Sequence, residues 1–193
     1  MALTNLQLID MAKKMNIPLE DPMFKSQLED DSLIYNEFYI INIEDEYDED
    51  GTKNEGTHYT CFQVNKYPNG KLEGVYMDPY GLPPPKEIID FVGFDIPYNK
   101  KQIQGSMNNA CGWFCLAFGC YINSYEGRTK DLYSDSVHFT DLFEDLTESN
   151  HHLKNEWVLK HFFRSKDPSK RKAIEIEGLD NISDANERTK IVL

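Results

Sequence analysis

The sequence predicts an α+β fold in which a small mixed β-sheet packs against one central buried helix. Three observations carry that reading. Segments rich in β-branched and aromatic residues fall between positions 32 and 77, and two of them flank the hairpin signal Tyr67-Pro68-Asn69-Gly70-Lys71. The run 111–122 is the most apolar of the chain and has almost no polar face, as a helix buried on most sides requires. With 193 residues, 40% hydrophobic and 12% aromatic, the chain can bury one core and is not composed like a disordered segment.

The elements follow in order. Thr4 and Gln7 form a capping-box pattern, and Leu8, Ile9, Met11, Ala12 and Met15 recur at helical spacing, which predicts a helix over 5–16. Pro18 and Pro22 end it and open an extended connection. Positions 32–43 have strand composition, with Phe38, Tyr39, Ile40 and Ile41 at their centre. The acidic run 44–56 is too charged to pack and reads as a solvated hairpin loop. Strand character resumes over 57–65, with His58, Thr60 and Phe62 on one face and Tyr59, Cys61 and Gln63 on the other. The turn at Asn69-Gly70 returns the chain as an antiparallel strand over 72–77, ending at Asp78-Pro79-Tyr80-Gly81. Pro83-Pro84-Pro85 opens a short helix over 86–91. Positions 101–104 read as extended and 111–123 as the central helix. Positions 125–135 read as a polar loop, and 139–146 and 152–163 as two further helices. One domain over 1–164 is expected, with 165–193 a charged tail.

The formal net charge is -13, with 33 acidic against 20 basic residues. Such a surface repels phosphate backbones, so nucleic acid is not an expected partner. No signal-peptide pattern opens the chain and no apolar run is long enough to span a bilayer, so a soluble intracellular protein without a membrane partner is expected. Its cysteines (Cys61, Cys111, Cys115, Cys120) should then be reduced. They form no C-x-x-C pair, and neither a metal nor a cofactor is expected.

The chemistry gathers at the junction between the irregular stretch 104–110 and the central helix. Cys111 stands at a helix start, where unpaired N–H groups favour negative charge and thiol pKa values fall to roughly 3.5–7.5. Thiol catalysis also needs a base, a group to orient that base, and donors for an oxyanion. His58 is the base candidate. If the strands pair through Asn69-Gly70, opposed residues sum to about 136–139, which brings the 76–78 end, with Asp78, within reach of His58. Gln104 is the oxyanion candidate, beside the Cys111 N–H. Each has a plainer reading: His138, His151, His152 and His161 compete as base, Asp78-Pro79-Tyr80-Gly81 serves as a turn, and Cys115 shares a face with Cys111. Cys115 and Cys120 read as small core residues.

Thr57-His58-Tyr59, Asp78-Pro79-Tyr80-Gly81 and the stretch from Gln104 through Cys111-Gly112-Trp113-Phe114 resemble the adenain-like and Ulp-like cysteine proteases, in the order His, Asp, Gln, Cys. The pattern is similar to that of the capsid-maturation proteases of virophages and Maverick/Polinton-type elements, and covers about 3–124. It implies a papain-like fold in permuted order, with His58 as base, Asp78 as orienting acid, Cys111 as nucleophile and Gln104 as oxyanion donor. Tyr59, Gly112 and Trp113 would line the substrate channel. Tyr59 stands where the family usually has Trp, and Asp78 matches the Ulp-type acid rather than the adenoviral Glu.

The function expected from this is a cysteine endopeptidase that cleaves viral capsid and virion precursor proteins at Gly-Gly-type sites. It would act as a monomer in the host cytoplasm, at the viral factory, and in the virion. Three alternatives remain at this stage: a protease acting on host ubiquitin-like conjugates, an acyltransferase on the same scaffold, and a binding module without catalysis.

Overall fold

A computed structural model describes residues 3–106, 108–123, 131–148 and 150–163. The predicted tail lies outside them. The element order is α1 (Asn5–Lys14), β1 (Met23–Phe24), a 3-10 turn (Lys25–Asp30), β2 (Phe38–Asn42), β3 (Tyr59–Lys66), β4 (Leu72–Met77), α2 (Lys86–Val92), α3 (Cys111–Asn123), α4 (Leu132–Asp141) and α5 (His151–Phe162). The architecture is α+β. Its four-stranded mixed sheet runs β1-β2-β3-β4, with β1 parallel to β2 and the other pairs antiparallel.

Strand alternation sorts the core onto two faces. Phe38, Ile40, Cys61, Val75 and Met77 pack under α3, together with α1, α4 and α5. Tyr39, Ile41, Phe62, Val64 and Tyr76 pack on the other face against α2 and the 3-10 turn. The helix α3 is therefore covered on nearly all sides, and Phe114 through Phe118 are fully buried. That explains its missing polar face.

Several bounds differ from the sequence reading. The first helix stops at Lys14, before either proline, because Asn16 takes a left-handed backbone at φ 54°. The strand expected over 32–43 shrinks to Phe38–Asn42. Asn36, also left-handed at φ 69°, turns the preceding chain while its N–H bonds Val64 O. Residues 101–104 form no strand; instead the N–H groups of Ile103 and Gln104 both donate to Pro79 O, at 2.9 and 3.0 Å. The helix expected over 139–146 begins earlier, at Leu132. Asp131 caps it by accepting from Ser134 N–H, so 131–135 is a cap and first turn rather than loop. Residues 125–130 of that expected loop lie outside the described residues.

The helix α3 reaches the sheet closely because of Gly119. A Cβ there would stand 2.8 Å from Phe38 Cε1, inside a ring that is fully buried and packed on Phe118. Gly119→Ala should gain helix propensity of up to about 1 kcal/mol but force that ring aside. A net loss of about 1–2 kcal/mol is expected from urea unfolding, with the denaturant slope unchanged.

Candidate active site

The candidate residues meet at the end of the sheet where β3 begins, β4 has ended and α3 begins. The β3–β4 ladder pairs Cys61 with Met77 and Phe62 with Tyr76, so opposed residues sum to 138, inside the expected window. Continued outward, that register sets His58 opposite Tyr80, with Asp78 diagonal to it on the same face. His58 Nε2 lies 2.8 Å from Asp78 Oδ1, and both residues are buried, at 6% and 1% exposure.

Asp78 is held by its surroundings. Its Oδ1 also accepts from Tyr80 N–H at 2.7 Å. Asn99 takes both of its backbone groups: Asn99 Oδ1 accepts from Asp78 N–H at 2.9 Å, and Asn99 Nδ2 donates to Asp78 O at 2.8 Å. Asn99 thus fixes the backbone from which the side chain projects, and the carboxylate cannot swing away from the imidazole without also losing the Tyr80 N–H. The sequence does not mark Asn99, because an Asn in an irregular segment carries no local sign of what it will bind. The imidazole face rests on Tyr80, with ring centroids 4.5 Å apart and planes 25° from parallel.

The second imidazole nitrogen, Nδ1, is buried and has no hydrogen-bond partner among the described residues. Besides Asp78, the group that acts on the imidazole is Cys111. Burial disfavours the imidazolium, but the Asp78 hydrogen bond and the Cys111 sulfur outweigh it and push the His58 pKa up to about 9. Cys111 is the first residue of α3 and is 3% exposed. The first backbone bond there runs from Phe114 N–H to Ala110 O, so the N–H groups of 111–113 stand at the helix end, where partial positive charge accumulates. The same sulfur raises the Tyr59 and Tyr80 phenols, after the larger effect of burial, which sets it near both rings.

Gln104 is buried beside this group. Its Nε2 donates to Asn108 O at 2.9 Å and to Tyr80 Oη at 3.3 Å, while Oε1 has no partner among the described residues. The segment 78–81 thus touches everything: Asp78 bonds His58, Pro79 O carries residues 103 and 104, and Tyr80 stacks on His58 and meets Gln104.

The remaining sequence candidates are placed as follows. Tyr59, Gly112 and Trp113 are buried and make packing contacts. Tyr59 Oη donates to Asn5 on α1, Gly112 lies against Leu3 and Leu8, and Trp113 packs edge-on to Phe163. Cys115 is fully buried with its thiol on Tyr59 O, and burial pushes that thiol up, as a core residue; Cys120 is half-buried. Of the rival bases, His151 bonds Asp145 O and Glu148, His161 bonds Trp157 O, and His138 is exposed. His152 lies on α5 against Gly105. Among the described residues, only His58 is held between a buried carboxylate and a cysteine. No group of three His, Cys, Asp or Glu among the described residues is placed to hold a metal, and no described helix is long and apolar enough to cross a membrane.

No protein-family model matches the chain, and no curated protein matches it in sequence. Among solved structures the chain is similar to the crystal structure of HopZ1a in complex with IP6, at 11% identity and a TM-score of 0.40. The match covers 88% of this chain and 71% of that one. A likeness of that degree decides nothing about activity.

The His58 geometry has a measurable consequence. The folded chain should hold the His58 proton up to about pH 9, whereas an unfolded histidine releases it near 6.5. Counted on His58 alone, the folded state binds more protons in that window, so the His58 contribution is complete below about 6.5 and fades as pH rises through 9. Unfolding free energy should fall by about 1–3 kcal/mol across the window. In Asp78→Asn, where the largest favourable partner is lost, the His58 ring resonance should titrate at distinctly lower pH.

Proposed function

We propose that the chain is a cysteine endopeptidase of the permuted, papain-like adenain/Ulp type. The observation that carries this reading is the His58 imidazole: one nitrogen is fixed on Asp78, and the other is buried, unpartnered and under the influence of a cysteine at a helix start.

The steps follow from those positions. At rest His58 already carries, on Nδ1, the proton taken from the Cys111 thiol, and Asp78 keeps the ring oriented with Nε2–H directed at Oδ1. The sulfur attacks the scissile carbonyl carbon, forming a C–S bond and moving the carbonyl π pair onto oxygen. That oxygen is met by the Cys111 backbone N–H and by Gln104 Nε2–H, which exchanges its long contact with Tyr80 for the developing charge. Collapse breaks the C–N bond, and the departing nitrogen takes the proton from His58. Water, deprotonated by the same imidazole, then attacks the thioester, releasing the acid and restoring the resting Cys111 and His58 pair.

Burial bears on the substrate. The four residues are each no more than 6% exposed, so the acyl residue must reach sulfur through a narrow approach. Glycine is the residue that fits such an approach, which supports Gly-Gly-type cleavage sites. The likeness of the His58, Asp78, Gln104 and Cys111 motifs to capsid-maturation proteases supports viral capsid and virion precursors as the substrate class, with action in the host cytoplasm and the virion.

Purified protein mixed with a Gly-Gly-containing capsid segment and followed by intact mass should cut after the glycines. Cys111→Ala should abolish cleavage, and Gln104→Ala should lower kcat by roughly 10²–10³. Undiminished cleavage by Cys111→Ala would sink the mechanism. Acetylation of Cys111 by acetyl-CoA without any peptide cleavage would replace hydrolysis by group transfer.

A further inference from the structure

Helix α5 lies beyond the stretch that carries the family resemblance, yet it grips the segment bearing Gln104 at three points. Asn155, fully buried, donates through Nδ2 to Ile103 O at 2.9 Å and to Glu144 O at 3.0 Å, and accepts from Glu144 N–H at 2.7 Å. The next residue, Glu156, accepts a hydrogen bond from Asn108 Nδ2. One turn earlier, His152 stands so close to Gly105 that a Cβ on the glycine would lie 2.9 Å from His152 Cβ.

These contacts bear on the orientation of one carboxamide. Gln104 Oε1 is buried without a partner among the described residues, so nothing holds that end of the group. The plane of the amide is set through Nε2. One of its protons goes to Asn108 O at 2.9 Å, a normal bond, and the other points to Tyr80 Oη at 3.3 Å, a long one. The first contact fixes the group and leaves the second proton weakly held.

We infer that Glu156 is a positioning residue for Gln104: by holding the Asn108 side chain it sets the Asn108 carbonyl that fixes the Gln104 amide, leaving the second amide proton free for the oxyanion. The inference rests on the reading of Gln104 as oxyanion donor. Glu156 touches neither substrate nor reacting atoms, and acts through Asn108. The carboxylate serves as an acceptor, so a glutamine at the same position, with its own carbonyl oxygen, can do the same work.

The test uses the full chain and a peptide amide ending in Gly-Gly-aminocoumarin, with single-turnover release of the amine as the acylation rate. Glu156→Ala should slow acylation about tenfold with KM within about twofold, a loss of transition-state contact without loss of binding. Glu156→Gln should restore the rate to within about threefold of wild type. The His58 ring resonance should titrate at the wild-type midpoint in both variants, since Asp78 and Cys111 are untouched. A wild-type acylation rate in Glu156→Ala, beside a Gln104→Ala variant slowed 10²–10³-fold, would overturn the inference and leave the donor reading standing. Equal slowing in Glu156→Gln and Glu156→Ala would overturn it, as would a displaced His58 midpoint, which would mean general disruption. A wild-type rate in Gln104→Ala would overturn the donor reading itself.

Discussion

Everything at the site depends on where β4 stops. Met77 is its last residue, and the next four make the contacts that join the sheet to the two halves of the site. Pro79 supplies no donor and ends the ladder, and its carbonyl is free to take the N–H groups of Ile103 and Gln104. Gly81, at φ 72°, turns the chain where a Cβ would stand 2.9 Å from Lys100 O. The register is set by the turn at Gly70, itself at φ 82°. A slip of one residue in β3–β4 would send Asp78 to the opposite face from His58. The same slip would exchange residues between two differently packed core layers, Cys61 under α3 and Phe62 against α2, so the packing of both faces guards the geometry of the site.

A buried imidazole is an unfavourable thing to keep charged. Here the Asp78 carboxylate on Nε2 and the influence of the Cys111 sulfur offset that cost, and the ring face is closed by Tyr80. The arrangement explains why Asp78 is clamped through its backbone by Asn99 and not left to packing. A carboxylate free to rotate would let the ring turn, and the nitrogen facing Cys111 would lose its direction. The helix start supplies the remaining part: the N–H groups at 111–113 are available because a helix cannot satisfy them itself.

What was legible in the sequence was local. The capping box at Thr4 and Gln7, the turn at Asn69-Gly70, the strand over Leu72–Met77 and the bounds of α3 follow from neighbours within a few residues, and they form as read. The meeting of His58 with Asp78 was legible because one turn fixes it. What was missed depends on distant partners. The two-residue β1 has no periodicity to detect, and Tyr76 bonds Pro97 O across an isolated bridge that no strand pattern announces. Asp131 with Ser134 is a capping signal, but it sits in a polar stretch that reads equally well as loop. Asn99 and Asn155 are fixed by carbonyls far along the chain, so their burial is invisible until the fold is formed. Tyr59, Gly112 and Trp113, placed at the substrate channel by likeness alone, have contacts no local pattern announces, with Asn5, Leu3, Leu8 and Phe163.

On the proposed mechanism, His58 makes Cys111 the most reactive of the chain's four thiols. Accessibility alone points elsewhere, since Cys120 is half-buried while Cys111 is 3% exposed. Brief treatment with iodoacetamide at mildly acidic pH, followed by peptide mass mapping, separates the two. Alkylation should fall on Cys111 first in the wild-type chain, and that preference should vanish in His58→Ala. Labelling of Cys120 ahead of Cys111, or a preference for Cys111 that survives removal of the imidazole, would contradict the account.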